Sequence, residues 1–142
     1  MKTFVLKSAE IKRNWYVIDA AGKPLGRVAA KIAHVLMGKN KASYTRHLDN
    51  GDFVIVLNAG EVALTGRKAK NKKYFKYSGY VGGLKETPFL TMIETKPTFP
   101  IHAAVKGMLP KNNLARKMIK KLYLFETAEH NFKNVELKEL EI

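Results

Sequence analysis

Apolar positions divide the chain into stretches with strand and helix periodicity. Residues 15–19 and 53–57 are short runs of aromatic and β-branched side chains, which predict buried strands. Between these runs lies one apolar stripe with helical spacing, formed by Leu25, Val28, Ala29, Ile32, Ala33 and Leu36. The stripe predicts a helix that ends at Gly38. A strand, a helix and a strand in this order predict a right-handed unit with parallel strands.

Shorter elements are predicted in the rest of the chain. Residues 61–65 have the composition of another short strand, and residues 122–125 that of a final one. Pro88 suits the first position of a short helix, Pro100 opens a further helix, and Asn113 is a candidate cap for the last one. We therefore predict an α/β fold with a mostly parallel sheet.

The chain length favours a single domain. Its 142 residues suffice for one hydrophobic core. Within residues 1–142 we distinguish an N-terminal arm (1–14), a basic extension (67–85) and an acidic tail (126–142). No apolar run approaches the roughly 20 residues that a membrane helix needs, so we expect no membrane span. Cysteine is absent, which excludes disulfides and thiolate metal sites and is compatible with a cytoplasmic location.

Net charge is the most informative property of the composition. The chain has 26 Lys and Arg against 12 Asp and Glu, which gives +14 and a pI near 10.0. The bases are concentrated in residues 23–46, 67–85 and 106–121. None of these three segments contains an Asp or a Glu. Such a distribution is typical of a protein that binds a large polyanion, such as a nucleic acid.

The basic extension, residues 67–85, combines cations with aromatic side chains and glycines. Cations bind phosphates, aromatic rings stack on unpaired bases, and glycines permit close approach. The alternative is a solvated Lys-rich hairpin whose aromatic side chains face the core. The charge of the rest of the chain favours RNA binding.

The sequence contains no convincing catalytic motif. Residues 22–26 lie between a predicted strand and helix, but they match neither nucleotide-binding glycine motif, and Pro24 lacks an amide donor. A simple turn is favoured there, although an RNA phosphate at this helix end is physically reasonable. Asp49 and Asp52 flank Asn-Gly, which is typical of a turn rather than a metal site. The histidines are scattered: His34, His47, His102 and His130. We predict a protein that is not an enzyme and uses no cofactor or metal.

Several runs of residues together resemble one family. They are residues 19–27, 37–41, 51–58, 64–68, 78–85 and 104–112, the last of which reads AVKGMLPKN. In order and spacing they resemble the bacterial form of the "L thirteen" family of large-subunit ribosomal proteins, from Lys2 to about His130. The sequence departs from the family pattern at Arg46, where a proline is usual, and in the tail, which lacks the family's His-rich ending.

The resemblance implies a three-layer α/β domain that binds large-subunit ribosomal RNA and joins the subunit early in assembly, without catalysis. The implied partners are this RNA and neighbouring ribosomal proteins in the cytoplasm. Neither a membrane, a small-molecule substrate nor a homo-oligomer is expected. The implied RNA-contacting segments are residues 39–47, 67–85 and 106–117.

The predicted RNA-binding residues rest on three kinds of support. The family match is residue by residue for Lys39, Lys41, Lys68, Gly79, Gly82, Gly83, Lys106 and Lys111. Charge and aromatic content add Lys70, Lys72, Lys73, Tyr74 and Tyr77. Position in the basic segments or on the basic helix face adds Arg27, Lys31, Arg46, His47, Arg67, Arg116 and Lys117.

Two other functions are compatible with the sequence. The chain could regulate a messenger by binding its leader through the same basic surface. It could also be a small nucleotide-binding α/β enzyme built on the first strand and helix, which ligand-induced stabilisation would reveal.

Overall fold

The computed structural model describes residues 5–140 as an α/β fold. It contains four of the predicted elements: the first two strands, the helix between them and the helix at Pro100. The elements in chain order are β1 (Trp15–Asp19), α1 (Leu25–Met37), β2 (Phe53–Leu57), α2 (Lys68–Asn71), β3 (Lys73–Tyr77), β4 (Leu84–Pro88), α3 (Phe89–Thr95), α4 (Phe99–Met108), α5 (Asn113–Met118), β5 (Leu122–Leu124) and β6 (Leu137–Glu139).

The main sheet has the strand order β5-β2-β1-β6, and all three of its pairings are parallel. β1 and β2 are central, and α1 makes the crossover between them, as the sequence predicts. β3 and β4 form a separate antiparallel hairpin, which begins in the basic extension and ends at Pro88, just beyond it. The predicted α/β class with a mostly parallel sheet is therefore confirmed.

One face of the sheet is covered by α1, which in turn packs against α4. The apolar stripe of α1 is buried, and Ile32 and Leu36 are fully inaccessible. On α4 they are matched by Ile101 and Val105, which are also fully buried. Each such side chain contributes about 1.5–3 kcal/mol through removal of its apolar surface from water. α1 ends at Gly38, whose left-handed conformation (φ 76°) closes the last turn of the helix.

Aromatic rings line the opposite face of the sheet. Trp15 stacks on Phe53 with their ring centroids 4.3 Å apart, and Tyr123 lies 5.8 Å from the same indole. Phe132, from the acidic tail, approaches Trp15 to 5.0 Å. The tail therefore covers this face, and it then forms β6 beside β1. β6 is not predicted from the sequence, because its three residues, Leu-Lys-Glu, are too few to show a periodicity.

Other boundaries differ from the prediction. Residues 61–65 form no strand, because Ala63 makes only an isolated bridge to Pro24. Pro88 is the N-cap of α3 rather than its first residue. Asn112, not Asn113, caps α5, and its Oδ1 accepts a hydrogen bond from the Ala115 amide at 2.9 Å.

β5 ends at Leu124, one residue before the predicted Phe125. Residues 1–4 of the predicted arm and residues 141–142 of the tail lie outside the described part of the chain. In the rest of the arm, Ser8–Glu10 forms one turn of 3₁₀ helix and Leu6 is buried.

Candidate nucleic-acid interface

The β3–β4 hairpin projects from the domain and is anchored at its base. Tyr74 is half-buried, and its ring meets the ring of Phe99 edge-on, with centroids 5.4 Å apart. Burial raises the pKa of the Tyr74 phenol. Lys72 holds its ammonium 5.3 Å from the centroid of the same ring. Tyr74, predicted to bind RNA, thus packs against the domain core.

One face of the hairpin is cationic. Lys76 lies directly opposite Lys85 in the β3–β4 register, and both side chains are exposed. Like charges in this position repel each other, and an anion bound between them relieves the repulsion. Sequence reasoning placed both residues in the extension but did not select them, because the cross-strand register depends on where the turn falls.

The other face of the hairpin is aromatic. Phe75 and Tyr77 alternate with the lysines, and each is 63% exposed. Tyr80, at the tip, is 79% exposed. Lys73 lies on this face and pairs with Glu86 at 2.8 Å, so its charge is balanced within the hairpin. Phe75, Tyr77 and Tyr80 offer ring faces on which bases can stack.

The predicted glycines shape the hairpin tip. Gly79 (φ 91°) and Gly82 (φ 73°) adopt backbone conformations that other residues rarely take. Gly83 donates its amide to the Tyr80 carbonyl at 2.9 Å. These glycines therefore form the turn that presents Tyr80.

A second basic cluster surrounds the junction of α4 and α5. Lys106, Lys111 and Arg116 line an open pocket of about 320 Å³. Leu109 and Ile119 contribute apolar surface to the same pocket. We call Lys106, Lys111 and Arg116 the α4–α5 cluster. Lys117, on the surface of α5, is also exposed.

A third basic region lies at the start of α1. Arg27 and Lys68 line one cleft of about 380 Å³. The Leu25 amide donates to the Ala63 carbonyl at 2.9 Å, and the Arg27 amide donates to the Pro24 carbonyl at 3.0 Å. Because the Leu25 and Arg27 amides already have partners within the protein, this end of α1 is poorly equipped to hold the phosphates of a nucleotide.

The remaining predicted cations are mostly exposed. In and around α1 and α2, and in the connector between α1 and β2, the exposed residues are Lys31, Lys39, Arg46, His47, Arg67 and Lys70. Lys41 differs from them, because its ammonium forms an ion pair with Asp52 at 2.6 Å inside the protein.

The two aspartates considered for a metal site have other partners. Asp49 pairs with Lys121 at 2.5 Å, and Asp52 pairs with Lys41. Within residues 5–140, no three His, Asp or Glu side chains are grouped as a metal would require. The same part of the chain has no helix of the length and apolarity that a bilayer crossing demands.

Sequence reasoning missed Lys121, whose role depends on a contact with a residue 72 positions away.

A parallel α/β domain with a projecting basic hairpin and open basic clusters defines a class of small basic binding proteins. Comparison with known proteins identifies the member of this class. The chain belongs to the family described as "Ribosomal protein L13", whose model matches residues 13–131. The family resemblance is therefore confirmed. Members of this family are structural ribosomal proteins, which also confirms the prediction that the chain is not an enzyme.

Three curated relatives match this chain over nearly their whole length. A protein of Thermoanaerobacter sp. (strain X514) is 53% identical over 100% of this chain and 99% of its own. Proteins of Psychrobacter arcticus and Hydrogenovibrio crunogenus are 52% and 51% identical, each over 100% of both chains. All three are named "Large ribosomal subunit protein uL13".

Proposed function

We propose that this protein is a structural constituent of the large ribosomal subunit, in the cytoplasm, that binds large-subunit ribosomal RNA. The ribosomal role is supported by membership of the L13 family and by the names of its full-length relatives. The RNA partner is supported by the chemistry of the surface.

Exposed cations without acidic partners carry the proposal. Of the 20 positions predicted to bind RNA, Lys41 and Lys73 are the two that form ion pairs within residues 5–140. The α4–α5 cluster and the Lys76–Lys85 pair instead hold positive charges close together on the surface. Such groups lower their mutual repulsion when they bind a polyanion.

The proposed mechanism is architectural. Lysine and arginine side chains replace counterions condensed on the RNA phosphates, and release of these ions drives binding. The aromatic face of the hairpin stacks on unpaired bases, while the shape of the RNA and its 2′-hydroxyls supply most of the specificity. The protein joins neighbouring segments of RNA and contacts adjacent ribosomal proteins.

Early incorporation into the subunit is part of the proposal. The main sheet, α1 and α4 enclose a hydrophobic core of buried side chains, so we expect the domain to fold without RNA. A domain that folds without RNA can bind the RNA while other parts of the subunit are still unordered.

The experiment measures affinity for a large-subunit ribosomal RNA fragment over a range of salt concentrations. The test variant replaces each residue of the α4–α5 cluster with glutamine: Lys106→Gln, Lys111→Gln and Arg116→Gln. The control removes the same charge at exposed sites outside the predicted segments: Lys96→Gln, Lys133→Gln and Lys138→Gln. Each phosphate contact contributes roughly −0.7 to −0.9 to the log–log slope, so we expect the test variant to have a flatter slope than the control.

Equal slopes for the two variants would show that the α4–α5 cluster does not bind RNA phosphates. Binding of the unchanged protein that is weak and insensitive to salt would refute the proposed function as a whole.

A further inference from the structure

The connector between α1 and β2, residues 38–52, is fixed by charges inside the protein. The Lys41 ammonium lies 2.6 Å from Oδ1 of Asp52. It also donates to the carbonyl of Lys12 at 2.7 Å and to the carbonyl of Asn50 at 3.0 Å. An ammonium has three protons, so all three have acceptors within the protein. Lys41 thus links the start of the connector to its end and to the N-terminal arm.

The acceptors around Lys41 are themselves held in place. Asp52 is fully buried, and its Oδ1 also accepts a hydrogen bond from the Asn14 amide at 2.8 Å. Asn50 is 2% exposed and donates its side-chain amide to Ser43 Oγ at 2.9 Å. The connector is therefore tied at Ser43 and at its end.

A second ion pair supports the same segment from the opposite side. Lys121 comes from the one-turn 3₁₀ helix Ile119–Lys121, and its side chain is 7% exposed. Its ammonium pairs with Asp49 and donates to the Gly51 carbonyl at 2.9 Å. Burial lowers the pKa of Lys121. The hydrogen bond to Asp49 acts in the opposite direction and offsets part of this lowering.

We propose that Lys41 is a positioning residue that holds the connector in its RNA-binding conformation and makes no phosphate contact itself. The inference rests on the proposed function, and it transfers direct contact to the exposed neighbours Lys39, Arg46 and His47. A turn of Lys41 toward RNA would leave the Asp52 carboxylate buried without its cation, a change that costs several kcal/mol in proteins. No comparable cost opposes the movement of an exposed lysine such as Lys39.

Chemical labelling of lysine amines in the unchanged protein tests the inference without a folding defect. The protein is labelled with an acetylating reagent, with and without a large-subunit ribosomal RNA fragment, and each site is quantified by mass spectrometry. In free protein we expect Lys41 to react about tenfold more slowly than Lys39, because its amine is enclosed and each of its three protons has an acceptor in the protein. RNA should protect Lys39 and leave the rate at Lys41 unchanged. Rapid labelling of Lys41 that RNA then suppresses would overturn the inference.

Two isosteric or near-isosteric variants give an independent test. We expect Lys41→Met and Asp52→Asn each to weaken RNA binding about tenfold while the salt slope keeps its original value. The matched variant Lys39→Met should instead flatten the slope by roughly 0.7 to 0.9. Direct contact by Lys41 predicts the opposite pattern: Lys41→Met flattens the slope, and Asp52→Asn strengthens binding because it removes an acid.

The two proposals fail in different ways. If the unchanged protein does not bind the RNA and Lys39 gains no protection, the proposed function fails. If RNA protects both Lys39 and Lys41, the function stands and the positioning role is wrong.

Discussion

At Gly51 the connector lies so close to the end of α1 that no side chain fits. A β-carbon there would lie 1.7 Å from the Leu36 carbonyl oxygen. The oxygen belongs to the backbone of a buried helix, so a rotamer change cannot relieve the clash. The close approach places Asp49 and Asp52 beside their lysine partners.

We expect Gly51→Ala to lower the free energy of unfolding by about 3 kcal/mol, because the backbone must move apart to admit the methyl group. Urea denaturation measures the change. Gly107→Ala is the matched control, since a β-carbon at Gly107 meets nothing within 4 Å. Gly107 lies in α4, where alanine is the better helix former, so stability should stay constant or rise by up to about 1 kcal/mol. Similar losses in both variants would contradict the close packing at Gly51.

Asp19 makes a pH-dependent contribution at the carboxyl end of β1. Its Oδ1 accepts hydrogen bonds from the Ala21 amide at 3.0 Å and from the Asn58 side chain at 2.8 Å. These bonds lower the pKa of Asp19 below its ordinary value of 3.8. A lowered folded-state pKa stabilises the fold above 3.8 and loses this effect as the pH falls through the folded-state value.

We expect the stability difference between the unchanged protein and Asp19→Asn to be constant above about pH 5 and to shrink below it. Its full size should be below about 1 kcal/mol, because Asp19 is exposed and solvent weakens its interactions. Urea midpoints measured from about pH 6 to about pH 3 give the difference directly. A difference that stays constant over this range would rule out the proposed titration.

In the β3–β4 hairpin, we expect one pair of lysines to lower the stability of the hairpin and to favour RNA binding. Lys76 and Lys85 repel each other across the strands, so Lys85→Glu should strengthen the hairpin by about 0.2–1 kcal/mol. The same change places a carboxylate where an RNA phosphate is expected. We predict slower amide exchange in β3 together with weaker and less salt-dependent RNA binding.

Lys133→Glu is the control for this experiment, because Lys133 is an exposed base in the tail, away from the hairpin. It should change neither the exchange rates in β3 nor the salt slope. If Lys85→Glu binds RNA as tightly as Lys133→Glu, the cationic face of the hairpin takes no part in binding.

Elements with strong local signals could be predicted, and elements fixed by distant contacts could not. β1, α1 and β2 follow from their own periodicity. β6 forms because its backbone pairs with β1 more than a hundred residues earlier in the chain, and the run 61–65 lacks such a partner strand.

For the interface, charge predicted the basic segments, but burial decides which cations remain exposed. Lys41 and Lys39 are the same residue type in the same short segment of the sequence. They differ in the tertiary contacts that enclose Lys41.

For the whole molecule, the uneven distribution of charge is the property that matters. A net charge of +14 opposes compact folding through self-repulsion. The interior pairs Lys41–Asp52 and Lys121–Asp49 place two acids where they stabilise the fold, while the exposed bases stay free for a polyanion. We therefore expect stability and direct phosphate binding to depend on separate sets of charges.

Sedimentation of ribosomal subunits from cells that produce this chain tests the central claim most directly. Gradient fractions are probed for the chain and for a known protein of each subunit. We predict that the chain travels with the large subunit in constant proportion to its other proteins and is absent from the small subunit. A chain that stays with free proteins, or with messenger RNA outside the large subunit, would contradict the claim.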